Sequence, residues 1–129
     1  MTSAAAAYDA RDYYWLSRII FAESGGEDLE GQIAVGNVVL NRVRSPDFPD
    51  SIPAVIFDAE NGVQFEPVAN GTVFQEPSEL SREAARRVLE GENTAGTSLY
   101  FFAPALSEGT WIDESRSFQQ TIGSHRFYS

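Results

Sequence analysis

Apolar positions recur at helical spacing through the first third of the chain. Leu16, Ile20 and Glu23 fall on one helical face, and Ile19 lies one turn before Glu23. This pattern predicts a helix from about Asp12 to Ser24, opened near Asp9 or Asp12. Gly25 and Gly26 are its stop, since glycine accepts the left-handed conformation that closes helices. A second helix is expected from about Asp28 to Arg44. Ile33, Val35, Val38, Val39, Leu40 and Val43 occupy too much of its circumference for a surface helix, so it reads as the central buried one. Gly31 and Gly36 would let a neighbour pack closely against it. Ile52–Phe57 reads as a short helix with Pro53 in its first turn. Gln64–Val68 and Thr72–Phe74 flank the turn signal Ala69-Asn70-Gly71 and read as a small hairpin or a loop imitating one. Ser81–Glu90 is amphipathic, with Ser78 or Ser81 as cap, and ends at Gly91.

The remainder changes character. Ser98–Pro104, Thr110–Asp113 and His125–Ser129 are short, aromatic segments that read as strands or extended chain with long loops between them. In the run LYFFA, Tyr100 and Phe102 would share one face and Leu99 and Phe101 the other. One face could line a groove, although core packing alone would also account for the aromatics. Helices followed by short strands make this an α+β chain. Residues 1–10 read as a linker or cloning remnant, and residues 11–129 as a single domain.

Composition removes several chemistries. There is no cysteine, hence no thiol catalysis, disulfide or thiolate metal site. All nine basic residues are arginine, which removes Schiff-base lysines and the phosphate-loop lysine. The net charge of −10 argues against nucleic acid and anionic lipid as partners. No apolar run approaches the roughly 20 residues that span a bilayer, and no export signal is visible in this chain. The acidic run Glu27–Glu30 lacks the spacing of a calcium loop and suits the start of a helix. No metal and no cofactor are expected.

Glu23 is the first catalytic candidate. A carboxyl group on an apolar helical face is costly to ionise, and one kept protonated near neutral pH can serve as a general acid. Its bland alternative is a helix-end glutamate bending back to solvent. His125 is the single histidine. A serine–histidine–aspartate triad would have to use it, yet no serine sits in a nucleophile-elbow context. It reads instead as a structural residue bonded through its ring nitrogens, or as a wall of a cleft.

From Ala22 to Pro49 the order AES-GE-x-x-x-GQ-x-AVG-x-VV-LNRV-x-SP-x-FP strongly resembles the catalytic domain of SleB-type spore cortex-lytic enzymes and related bacterial cell wall hydrolases. The likeness continues through VIF (Val55–Phe57), QFEPVANGT (Gln64–Thr72), VLEG (Val88–Gly91), LYFFAP (Leu99–Pro104), Trp111 and TIGSHRFY (Thr121–Tyr128), so it covers the chain from about Tyr14. The resemblance implies a lysozyme-like, lytic transglycosylase-like fold, with a helical core and a small β-rich C-terminal part. It implies peptidoglycan glycan strands as substrate, and secretion to the cell wall or spore cortex. Any wall-binding domain or germination partner would lie outside this chain. Glu23 matches the family's catalytic glutamate. Hydrolytic glycosidases usually need two carboxylates, about 5–5.5 Å or 6.5–9.5 Å apart, whereas a transglycosylase needs one. Ser24 would bond near that glutamate or the substrate's acetamido group. Gln64, Phe65, Glu66, Tyr100 and His125 are expected around the groove. Glu66 is open to three readings: a second carboxylate for muramidase-type hydrolysis, a like charge that raises the pKa of Glu23, or a solvated strand residue. Asn41 and Arg42 read as structural, the arginine pairing with a carboxylate and holding a loop. A non-catalytic wall-binding module that keeps the fold is the remaining alternative.

Overall fold

The computed structural model describes residues 9–58, 71–102, 118–123 and 125–128. Helix α1 spans Ala10–Ser24, α2 Leu29–Arg44, α3 Ile52–Ile56 and α4 Glu79–Leu89; strands β1 (Tyr100–Phe102), β2 (Phe118–Ile122) and β3 (His125–Tyr128) follow. Each helix opens on a side-chain cap. Asp9 accepts from the Arg11 N–H, Asp28 from Gly31, Ser51 from Ala54 and Ser78 from Ser81. These caps satisfy backbone donors that a helix start would otherwise leave unpaired.

Helix α2 is the centre of the molecule. Residues 31–39 are all buried, and α1, α3, α4 and the sheet all pack against it. Gly36 marks the tightest approach. A Cβ built there would sit 2.8 Å from Val88 Cγ2 and 2.9 Å from Ile20 Cδ1, so α4 and α1 close onto α2 because that position has no side chain. The core adds Leu16, Ile19 and Ile20 of α1, Ile52, Val55 and Ile56 around α3, Ala84, Ala85 and Val88 of α4, and Phe127 of β3.

Two local expectations are corrected. Helix α1 does stop at Gly25, but that residue is right-handed (φ −58°, ψ −21°), not left-handed. Its lack of a side chain serves a different end: a Cβ would lie 2.9 Å from the Phe21 ring. Second, Thr72–Phe74 is a single 3-10 turn and not a hairpin strand, which leaves the loop reading for this half. Gly71, at φ +84°, leads the chain straight into that turn. Val73 goes into the core while Phe74 lies out against Trp15 and Phe57. The other half of the expected hairpin, Gln64–Val68, lies outside the described residues, as does Thr110–Asp113.

The sheet has order β1-β3-β2, all antiparallel. Tyr100 faces Tyr128 in the first pairing and Ile122 faces His125 in the second. Gly123, at φ +59°, begins the turn between β2 and β3. Phe127 and Tyr128 are buried and Phe101 packs on the core. The described aromatics of this region therefore serve mainly as interior. Among the described residues no helix is long and apolar enough to cross a membrane.

Candidate active site

The last turn of α1 carries Glu23 half-buried on the core side of the helix, followed by buried Ser24. The Ser24 hydroxyl donates back to the Ile20 carbonyl at 2.7 Å. Its proton is thus committed to its own helix, a bond that favours one rotamer and leaves only its lone pairs for anything else.

Arg42, in the last turn of α2, is the charge centre beside Glu23. It is 3% exposed, and its Nε–H donates to the Leu99 carbonyl at 2.8 Å. The guanidinium lies 5.0 Å from the centre of the Phe48 ring and 5.3 Å from that of Tyr100. Burial pushes its pKa down to about 10; the Tyr100, Asp58 and Glu23 side chains act the other way and favour the charge. Arg42 is therefore a cation at neutral pH, shared among those three groups. Asp58, just after α3, is buried with it. The neighbouring Asn41 holds the loop before β1 by donating to the Gly96 and Ser98 carbonyls at 3.0 and 2.9 Å. Both residues thus hold the segment that leads into β1, the role read in the sequence for the arginine.

Of the predicted site residues, Glu23, Ser24, Tyr100 and His125 are described. Tyr100, at 6% exposure, is a buried neighbour of Arg42 with its ring edge-on to Phe48. His125, at the start of β3, is buried against the Phe101 ring and interacts with the Glu23 backbone. Its pKa is lowered, chiefly by burial, while Glu27 and the Glu23 backbone favour the charged form. Gln64, Phe65 and Glu66 lie outside the described residues. A shallow hollow lined by Asn37, Asn41, Arg44 and Glu92 contains none of the predicted site residues. Among the described residues, no group of three or more histidine, aspartate or glutamate side chains is placed to hold a metal ion.

Sequence reasoning missed Glu27 and Asp58 as neighbours of this site. Glu27 lies in the α1–α2 junction, its side chain only 16% exposed, with Oε1 4.0 Å from His125 Nδ1. The sequence carried no signal for it, since Glu27 lies beyond the end of α1 and helical spacing from Glu23 does not apply there. Asp58 carried none either, because its partner Arg42 is brought to it by the α2–α3 packing.

Residues 26–128 match the family model described as cell wall hydrolase. The spore cortex-lytic enzyme of Halalkalibacterium halodurans is 36% identical over 126 residues, covering 98% of this chain and 37% of that protein. The Bacillus subtilis spore cortex-lytic enzyme is 35% identical over 120 residues, 93% of this chain and 38% of that protein. The chain thus spans somewhat over a third of the length of these two relatives. The cell wall hydrolase CwlJ of H. halodurans is 38% identical over 74% of this chain and 69% of its own length. Among solved structures, the catalytic domain of the germination-specific lytic transglycosylase SleB from Bacillus anthracis superposes with a TM-score of 0.83 at 34% identity, covering 95% of this chain and 97% of that one. The mostly helical body with a small C-terminal sheet is the architecture the two share. With a model match over four-fifths of its length and relatives of this similarity, the chain belongs to the cell wall hydrolase family.

Proposed function

We propose that this chain cuts peptidoglycan glycan strands between N-acetylmuramic acid and N-acetylglucosamine by lytic transglycosylation, with Glu23 as the single acid and base. The observation that carries the reading is the setting of Glu23: a half-buried carboxyl at the end of α1, between an apolar helical face and the buried Arg42 cation. The apolar face favours the protonated acid and the cation favours the carboxylate. A group that must give a proton and then take one needs both forms within reach.

In this mechanism protonated Glu23 gives its proton to the glycosidic oxygen, and the C1–O bond of the muramic residue breaks. The 2-acetamido group stabilises the developing positive charge at C1. Glu23, now a carboxylate, takes the proton from the 6-hydroxyl of the same sugar as that oxygen bonds to C1. The product is a 1,6-anhydro ring, no water is consumed, and Glu23 ends protonated as it began. Because the nucleophile belongs to the substrate, no second carboxylate has to position a water. The substrate places the enzyme outside the cell, in the cell wall or spore cortex.

Mass spectrometry of products from purified peptidoglycan tests the reading. Anhydro ends are lighter by one water than hydrolysed ends, and the former are expected. Glu23→Gln should lower the rate by about 10²–10⁴-fold, the usual contribution of a positioned acid or base. Undiminished activity in that variant would refute the role of Glu23. Products carrying the added water would instead establish the muramidase reading with Glu23 and Glu66. Binding to peptidoglycan without cleavage by the unaltered protein would establish a wall-binding module.

A further inference from the structure

Behind Glu23, three parts of the chain distant in sequence meet: the α1–α2 junction, the turn between β2 and β3, and the start of β3. Glu27 reaches from the junction to the turn. A Cβ on Gly123 would overlap its carboxyl group, so the absence of a side chain at that position seats the carboxylate. From the other side Gln32 of α2 fixes the Glu27 backbone, its amide donating to the Glu27 carbonyl at 2.9 Å. Gln32 is itself held by the buried Ser81 hydroxyl of α4 at 2.6 Å. The carboxylate therefore stands on a rigid support. It faces His125, whose Nδ1 is buried and makes no hydrogen bond, with Glu27 Oε1 4.0 Å away. The imidazole also interacts with the backbone of Glu23. The rings against it, Phe101 from β1 and Phe127 from β3, and its strand partner Ile122 are uncharged, and Glu27 is the charged group acting on it.

We propose that Glu27 and His125 are a positioning pair: Glu27 orients the imidazole, and the imidazole braces the backbone at Glu23 so that the catalytic carboxyl keeps its aim. The inference rests on the proposed catalytic role of Glu23. Neither residue of the pair exchanges a proton with the substrate. A neutral imidazole has one N–H and can donate to only one of its two oxygen neighbours, whereas an imidazolium can donate to both. The brace is therefore linked to protonation of His125. At 4.0 Å from an Nδ1 that makes no hydrogen bond, the Glu27 carboxylate acts on the ring through its charge.

Because His125 is the only histidine, its ring protons are unambiguous in an NMR titration. In Glu27→Gln, which keeps the side-chain shape and removes the charge, the His125 pKa is expected to fall below that of the unaltered protein. The same variant should lose about tenfold in kcat with KM little changed, since small misplacements of a catalytic group can lower rates by as much as 10²-fold. Glu27→Asp should recover part of the loss. The kcat–pH profile of the unaltered protein should bend at the His125 pKa read by NMR, and that bend should be absent in His125→Gln. An unmoved His125 titration in Glu27→Gln overturns the proposal. So does a kcat within twofold of the unaltered protein. Glu23→Gln, assayed beside them, separates the two ideas: if it stays active the proposed function fails, and if it alone is inactive only the positioning pair fails.

Discussion

Replacing Arg42 by methionine removes the cation beside Glu23 while leaving an unbranched side chain in its channel. The Nε–H bond to the Leu99 carbonyl is lost, together with the contacts to the Phe48 and Tyr100 rings. Asp58 and Glu23 lose the charge they share. A hydrogen bond from a charged donor contributes about 1.5–3 kcal/mol, and each cation–ring contact about 0.5–1 kcal/mol. Removing one partner of a buried ion pair costs about 3–5 kcal/mol. One guanidinium makes all these contacts, so the figures overlap and do not add; a net loss of about 4 kcal/mol is expected. In a domain of this size each kcal/mol moves Tm by roughly 3–5 °C, which makes the drop about 12–20 °C. Urea titration with an unchanged m-value reads the same loss as a shift in midpoint. Replacing every member of a buried ionic cluster with apolar groups can be neutral, so the cycle matters. Asp58→Asn added to Arg42→Met should recover about 1–2 kcal/mol, because the stranded carboxylate is gone. A single variant within about 1 kcal/mol of the unaltered protein, or a cycle with no coupling, would refute an Arg42 that neutralises Asp58.

Three further outcomes are expected. His125 has a folded pKa below its ordinary 6.5, so the unfolded chain binds the proton first; stability should be full above pH 6.5 and fall as pH drops through the folded pKa. Thermal melts should show this component disappear in His125→Gln; an unchanged slope would contradict it. Gly36→Ala gains about 1 kcal/mol of helix propensity but pushes on Val88 and Ile20, at about 1–3 kcal/mol for overpacking. A small net loss in urea melts is expected, with Gly36→Val losing distinctly more, and a stabilised valine variant would show that the helices retreat freely. Asn37→Leu strips a donor from the Glu92 carbonyl and an acceptor from the Thr94 N–H, costing about 1–3 kcal/mol for each group left unpaired. Faster exchange at the Thr94 amide checks it.

Helical elements were legible because their signals are local. Ser78 and Gly91 bracket α4, and apolar positions spread from Ile33 to Val43 are too long a run for a strand and too wide a face for a surface helix. Strand β2 was missed for a physical reason. Of Phe118–Ile122 only Ile122 is buried, and a bulge between Phe118 and Gln120 breaks the alternation. Thr72–Phe74 misled in the opposite direction, since three apolar-leaning residues carry no period that separates a strand from a 3-10 turn. In the site, Glu23 stood out because a charge interrupts an apolar stripe. The resemblance named Tyr100 and His125 near it, but the charges of Arg42, Asp58 and Glu27 beside it were not legible, because packing between elements brings them there. Of the two readings left open for the aromatic run, the buried Tyr100 ring follows core packing.

The sheet order β1-β3-β2 has a consequence for how the molecule matures. The last strand in sequence is the middle one in space, so β1 and β2 have no partner in each other and both wait for β3. His125 opens that strand, and Tyr128 pairs Tyr100 beside Arg42. Packing of α1 on α2 and of α2 on α3 joins segments close in sequence, whereas packing of α4 on α1 and α2, and of His125 against the Glu23 backbone, joins distant ones. Among the described strands, the four-residue β3 is the one that joins the other two into a sheet.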